Sequence, residues 1–232
     1  MSTPLLTMRG VGKRYSSVTA LRGVDLSLGQ RESLAILGPN GAGKSTLLRI
    51  MAGLAHPSDG TLEFAGGEHD RSRIGYLGHA TLLYPQLTAR ENLIFAGRLY
   101  GVEDPATRAD ELLTEEGLVE VGGRRAGGFS RGMAQRLSIA RARVHAPDLL
   151  LLDEPYTGLD EPAARRLTAR LGSLATEGQA LVLVTHEIGR AAVLTESALV
   201  LVAGSVECRL DGADLTETGL EAAYSRALEG SA

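Results

Sequence analysis

A glycine-rich segment at positions 38–45 constrains the fold of this chain more than any other feature. It reads Gly-Pro-Asn-Gly-Ala-Gly-Lys-Ser and matches the pattern G-x-x-x-x-G-K-[S/T] at every fixed position. The segment follows an apolar stretch at 33–37, typical of a buried strand, and precedes a helical pattern at 46–51. A strand, a glycine-rich turn and a helix in this order present backbone N–H groups and a positive helix end to phosphate. The sequence therefore predicts an α/β fold that binds a phosphorylated ligand.

Each part of this loop has an expected role. Gly41 and Gly43 let the backbone turn so that successive N–H groups point toward phosphate oxygens. Lys44 is predicted to hold the β- and γ-phosphates, and Ser45 to ligate Mg²⁺. Lysine is rare here, since Lys13 and Lys44 are the two lysines among 24 Lys and Arg residues, which argues against a chance lysine. The predicted nucleotide-binding set is Gly38, Pro39, Asn40, Gly41, Ala42, Gly43, Lys44, Ser45 and Thr46.

The composition narrows the possible partners. A formal net charge of −4 leaves no surplus of cations to neutralise a nucleic-acid backbone or an anionic membrane surface, so we expect no nucleic-acid partner. The single cysteine, Cys208, excludes an internal disulfide and a Cys-x-x-Cys motif. The sequence does not open on a leader pattern, and no run of about 20 apolar residues occurs. We therefore expect a cytoplasmic chain.

The hydrophobic period switches between strand-like and helix-like stretches, which is typical of an α/β protein. Short apolar or alternating stretches predict strands at 5–9, 24–28, 33–37, 61–64, 149–152 and 181–185. The first four of these suggest a strand-rich lobe. The last two are continuously apolar, which predicts parallel strands buried on both faces of a sheet.

A helical insert is predicted between about 88 and 144. Thr88-x-x-Glu91 has the pattern of a capping box, Asp104-Pro105 starts a second helix that ends near Gly117, and Ser130 caps a third that runs towards Pro147. Further helices are expected at 162–175 and 220–228, with a turn at 204–205.

Two carboxylates follow the apolar run at 149–152. Ligands of open α/β sheets bind at the carboxyl ends of the strands, where the phosphate loop also lies. We therefore expect Asp153 to ligate Mg²⁺ and Glu154 to face the γ-phosphate as a general base.

A third signal, Phe-Ser-Arg-Gly-Met-Ala-Gln-Arg at 129–136, stands shortly before this strand. Here the sequence resembles the ATP-binding cassette family, whose signature is Leu-Ser-Gly-Gly-Gln followed by a helix. Ser130 and Gly132 keep their places, whereas Arg131 replaces a glycine. Ser130 at a helix N-terminus makes a second anion site. The resemblance implies that Ser130 and Gly132 act in trans on ATP held by another copy.

The resemblance covers essentially the whole chain and implies further roles. Tyr15 resembles the aromatic residue that stacks on adenine, and Asp160 resembles the aspartate of the loop that crosses the dimer interface. His186 resembles the histidine that contacts the γ-phosphate and orients the catalytic glutamate. The family implies ATP and Mg²⁺ as cofactors, Lys44, Glu154 and His186 as catalytic residues, a head-to-tail dimer, and membrane permease subunits as partners.

The resemblance also implies an architecture. We expect one nucleotide-binding domain, 1–232, with a P-loop NTPase (RecA-like) core containing a parallel sheet, an N-terminal antiparallel β lobe and an inserted α-helical subdomain. Core and lobe would occupy 1–78 and 147–232, and the helical subdomain 79–146. The subunit would lie on the cytoplasmic face of the inner membrane.

One position departs from the family pattern. His79 stands where the family has a glutamine that touches Mg²⁺, and Gln86 lies seven positions further on, in a segment that usually follows that residue. An imidazole can ligate a metal, but its reach differs from that of an amide. The remaining histidines, His56, His69 and His145, are interpreted as surface or packing residues.

With Gly78-His79 and the Ser-Arg-Gly-Met segment at 130–133, the sequence resembles the ATP-binding subunits of bacterial haem exporters of cytochrome c maturation. The sequence is similar also to ATPase subunits of antibiotic and drug efflux systems. These resemblances imply an ATP-hydrolysing exporter subunit, with haem as a candidate cargo. An ATPase of iron–sulfur cluster assembly fits the length equally well. A P-loop kinase or GTPase would leave the segment at 129–136 unexplained.

Overall fold

A computed structural model of the chain describes residues 4–65 and 71–230. The strands of these residues are β1 (Leu6–Tyr15), β2 (Val18–Leu28), β3 (Ser33–Leu37), β4 (Asp59–Phe64), β5 (Ile74–Leu77), β6 (Leu149–Asp153), β7 (Ala180–Val184), β8 (Ser197–Val202) and β9 (Ser205–Asp211). The α-helices are α1 (Lys44–Met51), α2 (Ala89–Leu99), α3 (Pro105–Glu115), α4 (Arg131–Ala142), α5 (Glu161–Thr176), α6 (Ile188–Leu194) and α7 (Glu217–Glu229). Short 3-10 helices lie at Arg71–Arg73, Val119–Val121, Ala126–Gly128 and Gly212–Asp214.

The centre of the fold is a six-stranded sheet of order β5-β6-β7-β3-β8-β9. Strands β5, β6, β7, β3 and β8 pair in parallel, and β9 pairs antiparallel to β8. Every residue of β3, β6 and β7 is buried, as expected for strands covered on both faces. The prediction of an α/β sheet is therefore confirmed, with an antiparallel edge strand that was not predicted.

Side chains of the central strands alternate between two hydrophobic cores, because successive residues of a strand point to opposite faces. Leu34 and Ile36 of β3 pack with α1 and with the first three-stranded sheet. Ala35 and Leu37 pack on the other face with α6 and α7. Leu150 and its neighbours on that face pack against α5. Helices thus cover both faces, as predicted.

The N-terminal lobe is an antiparallel sheet of order β2-β1-β4. The predicted strand at 33–37 does not belong to it, since β3 lies in the large sheet. Strand β1 is twice as long as the predicted 5–9, because it continues through a register shift next to Gly10, which has φ +58°. A β-bulge of this kind interrupts side-chain alternation without ending the strand. The partner β2 is longer than predicted for the same reason.

The helices between Thr88 and Ala142 begin where the capping signals predict. Thr88 and Glu91 form both hydrogen bonds of a capping box, and Asp104 accepts from the N–H of Thr107. Ser130 Oγ accepts from Met133 N at 3.3 Å. These helices share their own apolar cluster, which includes Leu93, Leu112 and Leu137.

Helix α4 ends earlier than predicted. It stops at Ala142 rather than near Pro147, and Ala146 has φ +51°. The residue before a proline is sterically disfavoured in the helical conformation, so Pro147 excludes Ala146 from the helix, but it does not explain why α4 already ends at Ala142. Helix α5 and the turn at Gly204 are confirmed, and α7 starts three residues before the prediction, where Thr216 caps it.

No α-helix among residues 4–65 and 71–230 is long and apolar enough to cross a membrane. His69 lies outside the described residues. His145 packs in a stack with Tyr100, with ring centroids 3.7 Å apart.

Candidate functional site

Three loops meet at one edge of the large sheet because they follow three neighbouring parallel strands, β6, β7 and β3. In the ladder, Asp153 pairs with Val184, and Val184 pairs with Ile36. The loop after β3 carries the glycine-rich segment, the loop after β6 carries Glu154, and the loop after β7 carries His186. Sheet register therefore fixes the position of all three loops.

The glycine-rich segment forms a turn between β3 and α1. Gly41 has φ +82° and Gly43 has φ +103°, in a region that side chains rarely adopt. A Cβ on Gly43 would lie 2.4 Å from the carbonyl oxygen of Ala20, so this glycine also permits a close approach of two backbones. Ala42 N donates to Pro39 O at 3.1 Å. The predicted loop conformation is thus present.

This segment borders a cleft of about 400 Å³. The cleft is lined by Val18, Thr19, Ala20, Asn40, Gly41, Ala42, Gly43, Lys44, Ser45, Thr46, His79, Asp153, Glu154 and Val184. It brings together most of the predicted phosphate, metal and base residues. A larger cavity of about 680 Å³, between β9 and α7, contains none of them.

The ammonium group of Lys44 lies within the loop. Its Nζ donates to Gly38 O at 2.6 Å and to Pro39 O at 3.0 Å. Burial lowers the pKa of Lys44, while the charges of Glu154 and Asp153 act in the opposite direction. A buried cation that bonds neutral carbonyls favours an anionic ligand, because a phosphate oxygen would add a direct attraction between opposite charges that a carbonyl oxygen does not supply.

Ser45 and Asp153 form a pair of oxygen ligands on the floor of the cleft. Ser45 Oγ donates to Asp153 Oδ1 at 3.2 Å, and Asp153 is 5% exposed. Hard oxygen donors of this kind suit Mg²⁺, which proteins hold with one or two carboxylates plus substrate phosphates. The described part of the chain has no group of three or more His, Cys, Asp or Glu that could hold a metal alone. The pair therefore fits a metal that also binds the nucleotide.

Glu154 lines the cleft and contacts His186, which does not belong to the lining. His186 Nδ1 lies 2.9 Å from Glu154 Oε2, and the N–H of Glu154 donates to Val184 O at 2.9 Å. Glu154 has φ +51°, an uncommon conformation for a residue with a side chain. The backbone of Glu154 thus bonds the last residue of β7, and its side chain contacts the loop that follows β7.

Ser130, Gly132 and Asp160 lie elsewhere. They line a second cavity of about 250 Å³ together with Gly158 and Leu159. Asp160 caps α5, since its Oδ1 accepts from Ala163 N at 2.8 Å. The chain therefore brings the signature and the Asp160 loop together, but not with the phosphate loop.

Tyr15 and His79 occupy different positions relative to the cleft. His79 is exposed and lines it, whereas Gln86 does not. Tyr15 lies outside the lining, with Lys13 Nζ 5.0 Å from its ring centre. Its cross-strand partner Val18 does line the cleft.

The cleft residues on β2 were not predicted from the sequence; they are Val18, Thr19 and Ala20. The signal that could have found them is the pair of serines at 16–17, which forms the turn between β1 and β2 and returns the chain toward the phosphate loop.

The chain is similar to known proteins over most of its length. The ABC transporter family model matches residues 21–157. The Nod factor export ATP-binding protein I of Burkholderia orbicola (strain AU 1054) is 38% identical over 212 residues, which cover 88% of this chain and 70% of that protein. The ABC transporter ATP-binding protein NatA of Bacillus subtilis (strain 168) is 36% identical over 215 residues, covering 87% of each.

A solved structure gives the same fold. It is a dimeric ATP-binding cassette in a post-hydrolysis state, bound to ADP and phosphate, with a TM-score of 0.80 and 29% identity over 89% of this chain and 98% of that one. Because the family model matches more than half of the chain, and relatives above 35% identity span most of it, the chain belongs to the ABC transporter family as an ATP-binding subunit with ATPase activity.

Proposed function

We propose that this chain powers a membrane exporter and that two copies form the catalytic unit head to tail. The observation that carries the proposal is the separation of two half-sites within one chain. Lys44 and Glu154 line the nucleotide cleft, whereas Ser130 and Gly132 line a different cavity. Each chain would hold ATP in its cleft and offer Ser130, Gly132 and Asp160 to the ATP of its partner copy.

In this proposal the phosphate loop binds the nucleotide through its N–H groups and Lys44. ATP would replace the two carbonyl acceptors of Lys44 with charged phosphate oxygens. Ser45 and Asp153 would hold Mg²⁺, which supplies positive charge to the phosphates. His79, at the same cleft, is a candidate for a further contact to the metal. Tyr15 would stack on adenine from the end of β1.

Glu154 is proposed as the general base that removes a proton from the attacking water. Its Oε2 contacts His186, so Oε1 can accept that proton. His186 would keep the carboxylate aimed at the γ-phosphate and contact that phosphate itself. Phosphoryl transfer depends mainly on positioning and charge stabilisation, which these tied residues provide.

The helical segment is proposed as the contact with the permease. We assign 79–146 to a helical subdomain, and 1–78 and 147–232 to the core and β lobe. Large apolar side chains are exposed on this segment, where Tyr84 and Phe95 form an edge-to-face pair with centroids 5.0 Å apart. Leu82 and Leu99 are 55% and 70% exposed. Exposed apolar groups of this kind mark interaction surfaces, which supports docking of a cytoplasmic helix of the permease. The chain would then lie on the cytoplasmic face of the inner membrane.

In this proposal, the permease determines which substrate is transported. The name of the Burkholderia relative concerns Nod factor export, which supports export as the direction here. Haem is the more specific candidate for the transported substrate, on the basis of the resemblance at His79 and the Ser-Arg-Gly-Met segment. Identifying the protein that co-purifies with the chain separates the possibilities: a haem-handling permease supports the haem hypothesis, another permease excludes it, and a soluble scaffold supports the iron–sulfur alternative.

Glu154→Gln tests the proposed chemistry. The variant should bind ATP within about twofold of the parent Kd and lose at least about a hundredfold in hydrolysis. If the variant hydrolyses ATP at the parent rate, Glu154 is not the base.

A further inference from the structure

Arg190, on helix α6, contacts two segments that border the catalytic residues. Its Nε donates to Glu187 Oε2 at 2.6 Å, and its Nη2 donates to Glu161 Oε2 at 2.7 Å. Glu187 directly follows His186, and Glu161 directly follows Asp160. One guanidinium therefore joins the loop after β7 to the start of α5.

Packing fixes this guanidinium between the two carboxylates. Its carbon lies 5.2 Å from the ring centre of Tyr156, within cation–π range, and Nη1 lies 3.5 Å from Thr168 Oγ1. Tyr156 itself is buried and belongs to the segment between Glu154 and Asp160. A planar guanidinium can stack and bridge two acids at once, whereas an ammonium group acts as a point charge. The position is thus specific for arginine.

The bridge controls a residue that has little packing of its own. The His186 side chain is 68% exposed, and its position depends on the loop that carries it. Within that loop, Glu187 is held at its N–H by Thr185 Oγ1 at 3.0 Å and at its carboxylate by Arg190. Loss of the arginine would release the restraint on this carboxylate next to His186, while the bond from Ala191 N to Glu187 O at 3.0 Å and the contact of His186 with Glu154 at 2.9 Å remain.

We propose that Arg190 is a positioning residue for ATP hydrolysis: it holds the His186 loop in register with the segment that carries Asp160. The inference rests on the proposed roles of Glu154, His186 and Asp160. Since Glu154 and His186 act on the ATP in the chain's own cleft and Asp160 faces the partner copy, the bridge links the geometry of the two half-sites. A misplacement of about 1 Å in such a site can cost about a hundredfold in rate.

Activity should respond to Arg190 more than stability does. The side chains of Glu161 and Glu187 are 58% and 35% exposed, so they keep contact with water when the arginine is removed. Ion pairs to carboxylates this exposed contribute little to folding. The Arg190 side chain itself is 16% exposed and stacks on Tyr156, so its removal should also cost a modest amount of stability through the lost cation–π contact. A rate defect without a large change in unfolding temperature therefore distinguishes positioning from a merely structural role.

The test compares Arg190→Gln with Arg165→Gln. Arg165 Nε lies 3.7 Å from the other oxygen of the same Glu161, and its side chain is 70% exposed. Arg190→Gln should lower kcat about tenfold and leave KM for ATP within about twofold. Arg165→Gln should keep kcat within about twofold, and Arg190→Lys should give an intermediate kcat.

A double-mutant cycle gives a second readout. Glu161→Gln should lower kcat in the parent, but not further in the Arg190→Gln background, because both changes break the same bridge. If Arg190→Gln does not fold, Glu161→Gln alone decides, since its side chain is largely exposed.

Three results would overturn the inference: a folded Arg190→Gln with the parent kcat, an equal loss in Arg165→Gln, or a loss confined to KM. If Arg190→Gln does not fold, a parent kcat in Glu161→Gln would overturn the inference. If Glu154→Gln also keeps the parent rate, the proposed function itself fails. An inactive Glu154→Gln beside a fully active Arg190→Gln contradicts the role of Arg190 alone.

Discussion

The Nδ1 atom of His186 lies 2.9 Å from Oε2 of Glu154, although 32 positions separate the two residues. The contact follows from strand pairing, because Glu154 comes directly after β6 and His186 comes two residues after the end of its parallel neighbour β7. The imidazole therefore reaches the carboxylate from a fixed place at the sheet edge.

We expect His186→Ala to lower kcat about a hundredfold, because Glu154 loses the group that orients it. ATP binding should weaken by no more than about tenfold, since His186 supplies one contact to the γ-phosphate whereas Lys44 and the phosphate loop remain. Steady-state ATPase rates and equilibrium binding of ATP check this prediction. His56→Gln is the control, because His56 is exposed and lies outside the cleft lining. An unchanged kcat in His186→Ala would argue against its role.

Gly43 and Gly41 should differ in their tolerance of a side chain. Both have positive φ, so alanine at either position should lower the free energy of unfolding by about 1–2 kcal/mol. A Cβ at Gly43 also overlaps the Ala20 carbonyl oxygen, whereas one at Gly41 meets no atom within 4 Å. Denaturant unfolding should therefore show a larger loss for Gly43→Ala. Equal losses would contradict the observed approach of β2 to the loop.

His145 should make folding sensitive to acid. Burial lowers the pKa of His145 from its ordinary value of 6.5, its Nε2 lies 3.1 Å from Ile74 O, and its buried Nδ1 has no hydrogen-bond partner among the described residues. The unfolded chain thus binds a proton more readily than the folded one. His145 should contribute stability above pH 6.5 that is lost as the pH falls below 6.5 toward the lower folded pKa.

His145→Phe tests this dependence. Phenylalanine can keep the stack on Tyr100 but does not titrate, so the free energy of unfolding should fall less steeply between about pH 6.5 and 5 than in the parent. Parallel slopes for the parent and His145→Phe would show that this histidine does not titrate on unfolding.

Glu116 should contribute strongly to stability. Its side chain is 1% exposed and contacts Arg170 Nε at 2.9 Å and Arg143 Nη1 at 3.3 Å. Burial raises the pKa of Glu116, although both arginines act to lower it. Removing one member of a buried ion pair typically costs about 3–5 kcal/mol, so we expect a loss of this size for Glu116→Ala.

Glu111→Ala is the matched control for Glu116→Ala. Glu111 pairs with Arg108 on the same helix but is 54% exposed, so its removal should change the free energy of unfolding by less than about 1 kcal/mol. Similar losses in the two variants would show that burial of Glu116 has no special effect.

Local signals in the sequence predicted the starts of α2, α3 and α4 to the residue. The Thr88 capping box and the caps Asp104 and Ser130 involve groups within three positions of each other, so the sequence itself contains both partners. The same holds for the phosphate loop, whose strand and helix adjoin it. Strand lengths were harder to predict from the sequence, because the register shift at Gly10 in β1 depends on pairing with another strand.

Residue spacing alone could not predict contacts between distant positions, and family resemblance implied only some of them, such as that of His186 with Glu154. Arg190 lies 29 positions from Glu161, and His145 lies 45 positions from Tyr100. No spacing rule joins these pairs, since helices α5 and α6 come together through strand order. The separation of Ser130 from Lys44 was implied by family resemblance, whereas the position of Tyr15 outside the cleft lining was not.

In the proposed dimer, Ser130 of one copy completes the nucleotide site of the other. Sedimentation of Glu154→Gln with ATP, with and without Ser130→Phe, tests it most directly, and Asp104→Ala controls for loss of a helix cap. We predict that Glu154→Gln forms a dimer with ATP and that adding Ser130→Phe leaves a monomer that still binds ATP, whereas adding Asp104→Ala leaves the dimer intact. A dimer of equal stability in the presence of Ser130→Phe would show that Ser130 does not complete the nucleotide site of the partner copy.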